Sequence, residues 1–134
     1  DRLDGQFQRW IAEKGLDEVV TYLGPVSTPG RLLSVCDAMV LTSESEGCPN
    51  ALLEGLATGL PAVVTRSGAE EFLVEGETGF SVPLGDALGV AERLQALAAD
   101  EGLRRQMGQA ARAAGITIRT TMRVVEPTTP SPVG

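Results

Sequence analysis

Histidine does not occur anywhere in the 134 residues. Its absence removes Ser-His-Asp and Cys-His catalysis within this chain, together with the commonest zinc ligand sets. Cysteine is nearly as scarce. Cys36 and Cys48 are the only two, without framework spacing, a usage that fits a reduced, intracellular protein better than a disulfide scaffold. Aromatic residues make up 4% of the chain, and Trp10, the single tryptophan, is expected to pack the first helix. Long hydrophobic runs are missing too: stretches such as Ala38-Met39-Val40-Leu41 fall far short of the ~20 residues that span a bilayer. Positive charge is in the minority, with 11 Lys+Arg against 18 Asp+Glu and a net charge of −7. Arg104 and Arg105 are the only adjacent basic pair, and along the sequence the basic residues form no patch. Non-specific nucleic-acid binding draws on cationic contacts to phosphates, so nucleic acid is not an expected partner. The expected location is cytoplasmic, at most peripheral at a membrane. No G-x-G-x-x-G or Walker-type string occurs, which disfavours a dinucleotide dehydrogenase or a P-loop NTPase.

What is present suits a folded domain. Apolar residues reach 43% and charged residues 22%, enough to bury a core over a length typical of one domain. The expected domain covers residues 1–125. Residues 126–134, with Pro127, Pro130 and Pro132, read as a disordered tail. The chain opens on Asp1 inside a helical pattern (Leu3, Phe7, Trp10, Ile11), which suggests a trimmed or incomplete polypeptide. That helix should close near Lys14, with Gly15 as its C-cap. Val19, Val20, Tyr22 and Leu23 predict a short strand. Thr28-Pro29 predicts a helix start, with Leu32, Leu33 and Cys36 as its buried stripe.

Two uninterrupted apolar runs, 38–41 and 61–64, predict parallel strands covered on both faces. Between them, residues 50–58 read as a helix closed by Gly59. A short helix near 69–74, a turn at 76–79 and a small strand at 80–82 follow. From Asp86 the pattern is helical, first through Leu88, Ala91, Leu94, Leu97 and Ala98, then through Leu103, Met107 and Ala110, with a weaker third stretch at 116–125. Alternating strand and helix with short links predicts an α/β, Rossmann-like parallel sheet with flanking helices.

Ligands of open parallel sheets bind beyond the carboxyl ends of the strands. The loop Thr42-Ser43-Glu44-Ser45-Glu46-Gly47-Cys48-Pro49 is therefore the first candidate site. Pro49 at the first helical position would leave the amides of Asn50 and Ala51 without intrahelical acceptors. With the helix dipole, these make a phosphate site, and Gly47 allows close backbone approach. Glu46 should hang at the loop. Glu54 lies about 40° from Asn50 around the helix at ~100° per residue, flanking the phosphate site and placed to accept hydrogen bonds from ribose hydroxyls. Taken as a pair, two glutamates at this spacing are also compatible with a solvated surface, and a first-turn glutamate with dipole stabilisation.

The wider string from Ser43 through Glu46, Asn50, Glu54 and Gly59 to Pro61 resembles the signature of glycosyltransferase family 4 and its GT-B relatives, an E-x7-E motif followed by G-x-P. Glu75-Gly76-Glu77-Thr78-Gly79-Phe80 and Pro83-Leu84-Gly85-Asp86 match in order, and the resemblance covers about residues 1–112. It implies the incomplete C-terminal, donor-binding half of a GT-B enzyme that transfers a sugar from an NDP-sugar with retention of configuration. No cofactor is implied beyond the donor substrate, and usually no metal. By the same resemblance, Glu46 contacts hydroxyls of the donor sugar, Asn50 and Ala51 hold the distal phosphate through their amides, and Glu54 takes the ribose hydroxyls. Leu53 would pack near ribose and base, and the 24–26 loop ending at Val26 would border the base. The family's Arg/Lys pair, the first strands and the acceptor-binding N-terminal domain would lie upstream, so the fragment alone is expected to be inactive and the acceptor is not legible. Ser67-Gly68-Ala69-Glu70-Glu71 meets the family's two glycines and following glutamate with a one-residue shortfall, so Glu71 is not carried over as a ligand. The alternative reading is a non-catalytic nucleotide-sugar-binding or interaction module derived from the same fold.

Overall fold

The computed structural model describes residues 2–45 and 49–125, and side chains over 5–45 and 49–115. Its element order is α1 (Arg2–Glu13), α2 (Pro29–Leu33), β1 (Met39–Leu41), α3 (Asn50–Thr58), β2 (Ala62–Thr65), a 3-10 turn (Ala69–Phe72), β3 (Gly79–Val82), α4 (Ala87–Ala99) and α5 (Glu101–Val125). The three strands pair in parallel in the order β1-β2-β3, as the alternation of elements predicts.

β2 shows why its run reads as a strand without polar alternation. Ala62 and Val64 face a cluster with Leu52, Leu56 and Ala111, while Val63 faces the other way into a cluster with Leu97 and Met107. Both faces are covered, so every residue of β2 is buried. α5 belongs to both clusters and packs along α3. It can do so because Gly108 and Gly115 offer no side chain at the crossing, where Gly59, Leu56 and Ala57 lie. α3 ends as its sequence implies, with Gly59 in the left-handed region at φ 96°, a conformation glycine adopts without a Cβ clash. Asp86 caps α4 by accepting from the Gly89 amide at 2.9 Å. Asp86→Ala should cost about 1 kcal/mol and lower the melting temperature by about 4 °C in a thermal denaturation scan.

Several expectations are corrected. Residues 19–23 form no strand. The amides of Val19 and Val20 both donate to the Leu16 carbonyl, which spends them on a turn, and no described strand lies alongside to pair with the rest. Tyr22 instead meets the ring of Phe7 at 5.5 Å, and Phe7 stacks on Trp10 at 6.1 Å. α2 starts at Pro29, but Thr28 makes no side-chain cap. Its expected stripe is not buried: Leu32 and Cys36 are exposed and Leu33 is half-buried, because this five-residue helix packs against α3 on one side and no other described layer covers it. The Cys36 thiol donates to the Leu32 carbonyl at 3.3 Å. Among the described residues β1 has a strand on one side alone, and with Val40 40% exposed it is not covered on both faces. The second and third helical stretches of the C-terminal part merge into one 25-residue helix. Residues 126–134 lie outside the described residues.

Candidate functional site

Parallel pairing sends the three strand ends, Leu41, Thr65 and Val82, to one rim. Its described parts are residues 42–45 and Pro49 of the loop after β1, the 66–68 turn and the 83–86 turn. Thr65 ties the first two together: its buried hydroxyl donates to the Ser43 carbonyl at 2.7 Å. That bond anchors the start of the candidate loop to the end of the central strand. Sequence reading passed over Thr65, although a polar residue closing a fully apolar run is a usable signal, since a buried hydroxyl needs a partner.

Pro49 is buried and occupies the N-cap of α3 rather than its first helical position. Its carbonyl accepts from the Leu53 amide at 3.1 Å, so helix geometry begins at Asn50. The shift of one residue follows from the backbone at Pro49 (φ −81°, ψ 84°), which is not helical. Asn50 and Ala51 are exposed in the first turn. There the aligned peptide dipoles favour an anion and the helix itself supplies no acceptor for the first-turn amides.

Glu54 is half-buried, one turn further along. Its own carbonyl accepts from the Thr58 hydroxyl at 2.7 Å. Leu53 is 3% exposed, so its side chain backs the rim rather than lining it. Val26 is 40% exposed in the segment leading to α2, and α2 packs against α3. The structure thus brings Asn50, Ala51 and Glu54 to one helix end. Glu46, Gly47 and Cys48 lie outside the described residues.

The turn after β2 is organised by a carboxylate that the sequence did not single out. Gly68 has φ 113°, in the left-handed region that only glycine enters easily, and its amide donates to Glu70 Oε2 at 2.7 Å. Hydrogen bonds to the Glu70 carboxylate from its own amide first, and then from that of Gly68, hold its pKa below the ordinary 4.5. Glu70 is thereby committed to its own turn, while Glu71 is exposed. Arg66, the only basic residue in the three rim loops, donates to Ser81 Oγ at 3.4 Å. Ser81 in turn gives both its amide and its hydroxyl to Glu75 Oε2, at 2.9 and 3.0 Å.

Comparison with known proteins agrees with this architecture. The family model described as "Glycosyl transferases group 1" matches residues 2–100. N-acetyl-alpha-D-glucosaminyl L-malate synthase of Bacillus anthracis is 39% identical over 98 residues, covering 72% of this chain and 26% of that protein. Among solved structures, the C-terminal domain of the group 1 glycosyl transferase LpcC from Francisella tularensis superposes with a TM-score of 0.72 at 22% identity, over 87% of this chain and 62% of that one. HepE of Anabaena, solved in complex with UDP-glucose, gives a TM-score of 0.77 at 23% identity, over 90% of this chain and 35% of that one. The chain spans roughly a quarter to a third of the length of the curated relatives it matches (26%, 28% and 31% for three of them).

Proposed function

Because the chain belongs to the glycosyl transferases group 1 family, we propose that it is the donor-binding part of an enzyme that transfers a sugar from a nucleoside diphosphate sugar to an acceptor, with retention of configuration. The observation that carries this reading is the junction of β1, the 42–49 loop and α3. Thr65 pins the loop's first residues, and Asn50, Ala51 and Glu54 meet at the opening of α3 on the ligand-binding rim of the sheet. An apolar cofactor would find little there, whereas a diphosphate joined to a ribose matches a helix N-terminus with the half-buried Glu54 one turn along. HepE, which shares the fold, was solved with UDP-glucose, a donor of the proposed class.

In this reading the first-turn amides of α3 take the distal phosphate and Glu54 accepts from the ribose hydroxyls. Glu46 accepts from hydroxyls of the transferred sugar. Leu53 supports the ribose from below, and the loop ending at Val26 borders the base. As the bond to the anomeric carbon breaks, charge accumulates on the departing diphosphate, and amides already aimed at it stabilise that charge without reorganising. In this reading the α3 amides hold the diphosphate together with the cationic pair expected upstream, and the reaction requires no metal ion.

Glu54→Ala in the intact enzyme tests the reading. A carboxylate that accepts from a ribose contributes a charge-assisted hydrogen bond, so kcat/KM for the donor should fall roughly tenfold to a hundredfold, chiefly through KM. Initial-rate kinetics with saturating acceptor measure this. Donor KM and kcat equal to those of the parent enzyme would remove Glu54 from the site.

A further inference from the structure

The ladder between β1 and β2 stops at Leu41 opposite Val64. β2 runs one residue further, to Thr65, which stands opposite Val82 of β3. On the β1 side the Thr65 hydroxyl takes over from the ladder and donates to the Ser43 carbonyl at 2.7 Å. A side chain thus extends the hold of β2 two residues beyond the last paired residue of β1. Thr65 is 4% exposed, and its own carbonyl accepts from the Ser67 hydroxyl at 3.3 Å. One residue at the end of the central strand therefore joins the turn that follows it to the loop beside it. Valine would suit the strand and the space equally well, but it would take from the Ser43 carbonyl the donor that Thr65 supplies.

The far end of the loop is fixed as well. Pro49 is buried at the N-cap of α3, and its carbonyl accepts from the Leu53 amide at 3.1 Å. Between the anchors at Ser43 and Pro49, position 46 is three residues from each. Three residues span at most about 11 Å, so the placing of the two anchors bounds what a side chain at position 46 can reach.

We propose that Thr65 is a positioning residue: through the Ser43 carbonyl it sets the loop after β1 against the opening of α3, so that the carboxylate assigned to the transferred sugar meets the donor bound there. This role rests on the sugar-transfer reading above. A reacting group misplaced by about 1 Å can cost about a hundredfold in rate. The phosphate and ribose contacts assigned to α3 belong to the helix and do not pass through Ser43. The loss on removing the hydroxyl therefore falls on kcat and leaves donor KM nearly unchanged.

Steady-state kinetics of the intact enzyme test the proposal. Thr65→Val should lower kcat by about tenfold to a hundredfold, with little change in donor KM. Thr65→Ser, which keeps the hydroxyl, should stay close to the parent. Thr65→Cys, with its weak S–H donor, should fall between them, and it takes the place of Thr65→Val throughout if that variant does not fold. Coupling to Glu46 separates positioning from stability. A smaller folded fraction multiplies the loss in every background, whereas a hydroxyl acting through Glu46 has nothing left to place once that carboxylate is gone. T65V/E46A should therefore turn over no more slowly than E46A, while T65V/E54A should show the two losses multiplied. An unchanged kcat in folded Thr65→Val, an equal loss in Thr65→Ser, or multiplied losses in T65V/E46A would each overturn the proposal and leave the sugar-transfer reading standing. Full activity in E46A would instead overturn the assignment of that carboxylate, and the positioning role with it.

Discussion

Gly115→Val is expected to cost about 3 kcal/mol, a large share of the net stability of a domain this size, and to leave a substantial population unfolded near physiological temperature. At this point α5 crosses α3 with backbone against backbone. A Cβ on Gly115 would stand 2.7 Å from the carbonyl carbon of Leu56 and closer still to the Ala57 amide nitrogen. Neither obstacle can rotate away, because both are main-chain atoms inside a helix. Relief would need α5 to shift off α3, and α5 carries Ala111 into one core cluster and Met107 into the other. Gly108→Val should behave alike, since its Cβ would meet the Gly59 carbonyl oxygen at 2.5 Å.

Gly55→Ala separates crowding from the mere loss of a glycine. The atoms in its way are the Sδ and Cε of Met39, the movable end of a flexible side chain, and the change should cost much less. Gly5→Ala, with nothing within 4 Å on α1, should raise stability by about 0.5–1 kcal/mol. Urea unfolding followed by circular dichroism ranks the four variants. A Gly115→Val protein as stable as the parent would mean that α5 does not cross α3 at this contact.

These contacts also show what a linear reading can and cannot reach. Continuous apolarity identified β2 because burial on both faces is written into each of its residues. Gly59 and Asp86 were legible for a similar reason: a helix end is a local event whose requirements fall on one or two neighbours. The run at 19–23 has the same β-branched composition as a strand, but a strand is a property of two segments. Without a described neighbour, the Val19 and Val20 amides turned to Leu16. Leu32 and Cys36 carried the periodicity of a buried face, and periodicity states only which residues share a side, not whether anything covers it. The crossing of Gly108 and Gly115 on α3 depends on one helix running unbroken past both. The threonines at 117, 120 and 121 argued only against its continuation to Val125. At the candidate site, the sequence placed Asn50, Ala51 and Glu54 at the opening of α3, where the structure has them. It missed Thr65 and Glu70, whose roles are bonds to carbonyl and amide groups of the main chain, which composition does not display.

The largest functional effect is expected at Glu46. In the proposed site Glu54 holds a part of the donor that does not change during transfer, so its loss weakens ground state and transition state together and appears in KM. Glu46 is assigned to the sugar that moves. Hydroxyls on that ring become more acidic and its position more constrained as positive charge develops at the anomeric carbon, so a carboxylate accepting from them binds the transition state more tightly than the donor. Glu46→Ala in the intact enzyme should therefore lower kcat by about 10²–10³-fold with a smaller change in KM, and Glu46→Gln, which keeps one acceptor oxygen without the charge, should fall between. Pre-steady-state measurement with saturating donor and acceptor isolates the chemical step from product release. An unchanged kcat in Glu46→Ala, or a loss confined to KM, would move the transferred sugar away from the loop after β1, leaving the helix opening as a nucleotide site whose catalytic carboxylate lies elsewhere.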